Sequence, residues 1–211
     1  MSEQQQPGTL YVISAPSGAG KTSLVRALVE STPDIAVSVS HTTRPPREGE
    51  TDGVDYHFTD VATFESMVAE GAFLEHAKVF DNYYGTSRNA ALDGVSQGRD
   101  VILEIDWQGA RQVRESIPQA VGIFILPPSR TVLAERLQGR GQDSAEVIQR
   151  RMEAAQAEMA HFEEFDYLVV NDDFDTALSE LCSVVTARRL RGEAQRWRHA
   201  SLLEELLATG P

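Results

Sequence analysis

The chain is poor in the features that mark secreted, membrane-spanning or nucleic-acid-coating proteins. Its one cysteine, Cys182, can form no internal disulfide, which fits a reducing cytoplasm. No apolar run approaches the roughly 20 residues a membrane span requires, and the start, Met1 to Pro7, is polar and Gln-rich, unlike a signal peptide. Lysine is almost missing: Lys21 and Lys78 stand against a background of arginine. Cations are outnumbered, 19 Lys and Arg against 32 Asp and Glu, and the net charge of -13 excludes a general nucleic-acid binder, which would carry a basic face. The five histidines (His41, His57, His76, His161, His199) lack metal-ligand spacing and are expected in packing or surface roles. Repeats, low-complexity tracts and long linkers are also missing. With 211 residues and 41% hydrophobic content, one well-packed domain is expected.

What is present is concentrated near the start. Ala15-Pro16-Ser17-Gly18-Ala19-Gly20-Lys21-Thr22 follows the apolar run Leu10-Tyr11-Val12-Ile13 and precedes Ser23-Leu24-Val25-Arg26-Ala27-Leu28-Val29, which has helical spacing. Strand, glycine-rich turn and helix start bring several backbone N–H groups to one point at the positive end of a helix dipole. Lys21 would add a charge for the outer phosphates and Thr22 a hydroxyl for Mg²⁺. The pattern G-x-x-x-x-G-K-[ST] is broken only by Ala15, which opens the loop and is not the position nearest the phosphates.

Strand-like runs at Thr9–Ser14, Ala36–Ser40, Val101–Ile105, Val121–Leu126 and Tyr167–Val170 alternate with helix-like runs at Lys21–Ser31, Gly109–Glu115, Arg130–Gln138, Ser144–Phe162 and Thr176–Leu207. Continuous apolar strands separated by helices predict a doubly wound α/β fold, a P-loop NTPase-type parallel sheet covered on both faces. Between Asp55 and Gly85 the pieces Tyr56–Phe58, Phe73–Phe80 and Tyr83–Tyr84, with a helix over Val61–Glu70, read as an inserted small mixed α/β subdomain. Gly139-Arg140-Gly141-Gln142-Asp143 reads as a polar turn before a helix, with Asp143 and Glu146 as a capping box, and suggests a helical lid. The predicted partition is a single domain with core 8–39, 89–137 and 150–211, insert 40–88 and lid 138–149.

Within the insert, Ser40-His41-Thr42-Thr43-Arg44-Pro45-Pro46-Arg47-Glu48-Gly49 holds two arginines across a stiff Pro-Pro step. Two planar guanidinium forks make a clamp for a phosphate, and Tyr56 would add a hydroxyl. One site for a triphosphate and another for a monophosphate predict a kinase acting on a nucleotide. Glu104-Ile105-Asp106 ends the strand Asp100-Val101-Ile102-Leu103, where carboxylates face the ligand crevice. Asp106 would hold Mg²⁺ through water or cap the following helix, two roles that can coexist. Glu104 would contact the acceptor nucleotide or the ion's water shell.

Motifs along nearly the whole chain resemble the guanylate kinase family: Ser14 to Lys21, Val39-Ser40-His41-Thr42-Thr43-Arg44-Pro45-Pro46-Arg47, Gly53-Val54-Asp55-Tyr56-His57-Phe58, Phe73-Leu74-Glu75, Asn82-Tyr83-Tyr84-Gly85-Thr86, Asp106-Trp107-Gln108-Gly109 and Val170-Asn171-Asp172. The resemblance implies ATP as donor with Mg²⁺, GMP or dGMP as acceptor, and a reaction giving ADP and GDP. It implies that Glu75 reads guanine, for which an acceptor-only carboxylate is suited. It also implies that Ser40 and Thr86 touch the base edge or phosphate, and that Tyr84, Tyr56, Arg44 and Arg47 hold the acceptor phosphate. Arg140 and Arg151 match arginines that close on the transferring phosphates, Arg136 is their expected third, and Asn171 matches a position near the donor adenine. Two rivals stand beside this reading. A non-catalytic interaction module of the same fold would lack Lys21 and Thr22, and a kinase for another phosphorylated acceptor would leave Glu75 without a purpose. Neither nucleic acid nor membrane is expected as a partner. The stretch Thr176–Leu207, with Leu190, Trp197, Leu203 and Leu206, leaves a homo-oligomer open.

Overall fold

A computed structural model describes residues 7–79, 81–138 and 145–208. Five parallel strands make the main sheet: β1 (Leu10–Ser14), β2 (Ile35–Val37), β7 (Asp100–Glu104), β8 (Val121–Leu126) and β9 (Tyr167–Val170), in the order β2-β7-β1-β8-β9. Four strands make a second, mixed sheet in the order β4-β3-β6-β5, from β3 (His41–Thr42), β4 (His57–Phe58), β5 (Phe73–Val79) and β6 (Asn82–Ser87). The helices are α1 (Lys21–Ser31), α2 (Val61–Ala69), α3 (Arg88–Ser96), α4 (Trp107–Ser116), α5 (Arg130–Gln138), α6 (Ala145–Met159), α7 (Phe174–Arg189), α8 (Gly192–Arg198) and α9 (Ala200–Leu207).

Alternation along β1 explains the two-sided core. Tyr11 and Ile13 point to the α1 and α7 side, where Leu24, Leu28, Leu181 and Val185 meet them. Leu10 and Val12 point the other way, to Ala91 of α3 and Val113 of α4. Both faces are covered, so the strand reads as an unbroken apolar run. Each fully buried Leu or Ile in these layers contributes about 1.5–3 kcal/mol. A third cluster, Leu133, Leu137 and Ala155, ties α5 to α6.

Three expectations are corrected. The single strand expected over Ala36–Ser40 divides: β2 pairs with β7, the Ser38 N–H still donates to the Ile102 carbonyl (2.9 Å), and the chain then crosses to β3 in the second sheet. Helix α3 was not expected, because Gly94 weakens its helical signal. It forms because Ser87 caps it and because a side chain at 94 would meet the Val101 Cγ2 at 2.7 Å; glycine lets the helix lie close on β7. The long helix expected over Thr176–Leu207 is three helices, starting at the Asp173 cap and interrupted at Leu190 and His199. Leu190, Trp197 and Leu206 are exposed there, not packed on the sheet.

Candidate active site

At the carboxyl ends of β1 and β7 the main sheet faces the second sheet across a cleft of about 360 Å³. The loop between β1 and α1 forms one wall. Gly18 and Gly20 take φ of 90° and 93°, a region that L side chains rarely enter. Ala15 is not among the positive-φ residues; Asp34 is the one such non-glycine residue described, so the departure at position 15 carries no backbone strain. The loop is braced from behind. The buried Asn171 amide donates to the Ala19 carbonyl (2.7 Å), and a Cβ at Gly20 would sit 2.4 Å from the Asn171 Nδ2. Arg136 in turn donates through Nη2 to the Asn171 carbonyl (3.0 Å), while its Nη1 is buried with no hydrogen-bond partner among the described residues. Asn171, expected beside a donor base, therefore has its amide committed to the loop itself.

Carboxylates gather opposite this cradle. The Thr22 hydroxyl donates to Glu104 Oε1 (2.5 Å), and Lys21 Nζ lies 4.0 Å from the same oxygen and 3.4 Å from the Ile105 carbonyl. Glu104, expected on the acceptor nucleotide or in the water shell of Mg²⁺, accepts here from the loop residue Thr22. Asp106 caps α4, accepting from the Gly109 N–H (2.8 Å), so the capping role is realised while the carboxylate still borders the cleft. Glu158, which the sequence reading missed, reaches from α6 to accept from the Ser17 N–H (3.2 Å). Its one legible signal was its place seven residues after Arg151, two helical turns along the same face.

The far end is built by the second sheet. Glu75 on β5 is buried at 3% exposure, and its Oε1 accepts from the Thr86 hydroxyl (2.6 Å). That bond uses the one hydrogen of the Thr86 hydroxyl, so the Ser40 hydroxyl, 3.2 Å away, donates to Thr86 Oγ1 in its turn. Burial pushes the Glu75 carboxyl up to about 7, against the Thr86 hydrogen bond that favours its ionised form; Asp106 raises it further. Gly109 makes the approach feasible, since a Cβ there would lie 2.4 Å from the Glu75 Oε2.

Tyr56 and Tyr84 line the cleft in a T-shaped, edge-to-face arrangement, ring centroids 6.0 Å apart, and burial and then Glu104 raise the Tyr56 hydroxyl. The predicted arginine clamp is different in detail. Arg44 pairs with Glu50 (2.7 Å), donates to its neighbour's Pro45 carbonyl and lies over the Tyr56 ring. Arg47 is exposed; its backbone N–H donates to the Glu50 carboxylate (2.7 Å) and its carbonyl accepts from the Glu50 N–H (3.1 Å). The Glu50 carboxylate thus holds the Arg44 guanidinium and the Arg47 N–H together in one turn. Arg151 is half-buried on α6; Arg140, and Asp143 of the expected capping box, lie outside the described residues.

The guanylate kinase family profile matches residues 7–188. The guanylate kinase of Alkalilimnicola ehrlichii is 61% identical over 201 residues, covering 95% of this chain and 99% of the relative. That of Saccharophagus degradans is 60% identical over 201 residues, 95% of this chain and 98% of the relative. Among solved structures, the guanylate kinase of Anaplasma phagocytophilum superposes with a TM-score of 0.74 at 34% identity, covering 90% of this chain and 91% of that one. A glycine-rich loop and a buried carboxyl lining one cleft have the same explanation as these likenesses: the chain belongs to the guanylate kinase family.

Proposed function

We propose that the protein transfers the γ-phosphoryl group of ATP to GMP, and to dGMP, giving ADP and GDP. The observation that carries this is the buried Glu75, backed by Thr86 and Ser40, at one end of the cleft whose other end is the phosphate loop. An ionised Glu75 accepts from the paired N1–H and N2–H donors of guanine and repels the bare N1 of adenine. Tyr56, Tyr84, Arg44 and Arg47 hold the acceptor phosphate, with Arg44 released from Glu50 or shared with it. The loop 15–22 holds the donor phosphates, Asn171 supports them through the Ala19 carbonyl, and Arg136, bonded to the Asn171 carbonyl, adds a cation for the donor.

The acceptor phosphate oxygen is already a nucleophile, so no residue forms a covalent intermediate. Rate comes from alignment of two anions and from neutralising the charge between them by Lys21, Arg44, Arg140 and Arg151. The donor set beside Lys21 fits Mg²⁺: Thr22 supplies a hydroxyl, Glu104 and Asp106 supply carboxylates, and all are hard oxygen ligands. No cluster of three or more His, Cys, Asp or Glu is poised to hold a metal among the described residues. When bound, Mg²⁺ would neutralise charge on the outer phosphates, with Thr22 and, through water, Asp106 as its protein partners. The partition into core, insert 40–88 and lid 138–149 lets closure exclude water as a competing acceptor. No helix among the described residues is long and apolar enough to cross a membrane, and a cytoplasmic site of action fits nucleotide metabolism.

A coupled assay offering ATP with GMP, AMP, UMP or ribose phosphate tests the reading. Rapid turnover with GMP alone is expected; strong turnover with AMP, or none with any acceptor, would overturn it.

A further inference from the structure

Helix α6 brings an acid to the phosphate loop. Its inward face runs through Arg151, Met152, Ala155, Glu158 and Met159; Ala155 and the two methionines pack on Leu133 and Leu137 of α5 and fix which side turns inward. Arg151 and Glu158 lie seven residues, about 10.5 Å, apart along that face. The Glu158 carboxylate accepts from the Ser17 N–H (3.2 Å) and lines the cleft with Gly18, Gly20 and Lys21. In a glycine-rich loop of this type the backbone N–H groups are the phosphate donors. A carboxylate oxygen seated on one of them stands where a phosphate oxygen would, and one N–H cannot serve both.

We infer that Glu158 is a built-in anion that occupies the donor-phosphate cradle of the nucleotide-free protein and that ATP must displace it. The inference rests on the proposed donor role of the loop. Burial, and then Asp106, raise the Glu158 carboxyl, while Ser17 and Lys21 favour its ionised form, so the group is held by the same two partners that would hold phosphate. The acceptor contacts come from other elements: Glu75 and Thr86 stand on β5 and β6, and Ser40 precedes β3. The device would weaken binding of ATP by the work of moving one anion off the loop. It would also couple α6, and with it Arg151, to the arrival of the donor: the helix that carries a phosphate-seeking cation is held near the loop by its own carboxylate until phosphate replaces it.

Calorimetric titration with the non-hydrolysable β,γ-imido analogue of ATP tests this on the full chain. Glu158→Gln keeps the shape and removes the charge, and it should tighten the analogue about tenfold while the Kd for GMP stays within twofold. Glu158→Ala, which removes the group altogether, should also tighten the analogue. Equal or weaker affinity in both variants would overturn the inference and make Glu158 a group that supports the bound donor. Failure of the wild-type chain itself to take up the analogue would instead overturn the donor-site reading. Thermal unfolding of each variant identifies a folding defect, and the second variant then decides.

Discussion

A carboxyl buried at the end of a cleft reads a base only after it sheds its proton. For Glu75, whose carboxyl is pushed up to about 7, that happens close to neutral pH. In the proposed role the ionised form accepts from guanine, so the KM for GMP should fall as pH rises through about 7 and level off above it. In Glu75→Gln that dependence should vanish. The same substitution should lower kcat/KM for GMP by about 100-fold or more, since charge-assisted hydrogen bonds to two donors are lost, with ATP affinity unchanged. An equal loss of ATP affinity would assign Glu75 to the fold. For stability the sign is opposite: a raised carboxyl makes its full contribution below pH 4.5 and loses it as pH climbs to about 7. Gly109 is the residue that leaves room for this carboxyl. Gly109→Ala should raise the KM for GMP roughly tenfold, as a Cβ 2.4 Å from the carboxylate oxygen forces it aside. An unaltered KM, measured on folded protein, would show that the carboxyl yields without consequence. Sequence alone named Glu75 through the motif that contains it, yet its proton affinity is a property of burial, and burial is made by Gly109 from a segment more than thirty residues away.

At the scale of elements, α4 joins two tasks in one residue. Asp106 caps the helix through the Gly109 N–H, and its carboxylate borders the cleft. The tasks separate by substitution. Asp106→Ala removes the cap and should cost about 1 kcal/mol of stability, read as a lower midpoint in urea. Asp106→Asn caps equally well, so its stability should match the wild type while phosphoryl transfer falls, most sharply at low Mg²⁺. A drop in stability with unchanged transfer would leave the cap as the only role. Elements with a strong periodic signal were legible from the chain: α1, α5, β8 and β9 have the bounds that the pattern predicts. Those that were missed owe their form to contacts. α3 holds a glycine that only its close packing on β7 explains, and β2 stops where the chain leaves one sheet for the other.

The whole molecule depends on contacts that no local pattern announces. Asp100 is buried at 4% exposure at the start of β7, where it accepts from the Thr9 N–H (2.6 Å) and from Arg189 Nε (2.8 Å) at the end of α7. Arg189 also donates to the Pro33 carbonyl (2.7 Å) and so ties α7, β7 and the turn before β2 together. Arg189→Ala leaves a buried carboxylate short of its cation and should destabilise the protein by about 2 kcal/mol, seen as a shifted denaturant midpoint with the KM for GMP unchanged. A neutral outcome would mean that water replaces the guanidinium at no cost. The amino-acid sequence by itself determined the layered α/β architecture, the glycine-rich loop between β1 and α1 and the likeness to the guanylate kinase family, because periodicity, glycine placement and motif order are local properties of the chain. Only the tertiary structure decided that Arg44 is paired with Glu50, that Asn171 supports the loop from behind and that Glu158 sits on it. These are meetings of side chains from distant segments, and which partner a charged group finds depends on where the packed core carries it.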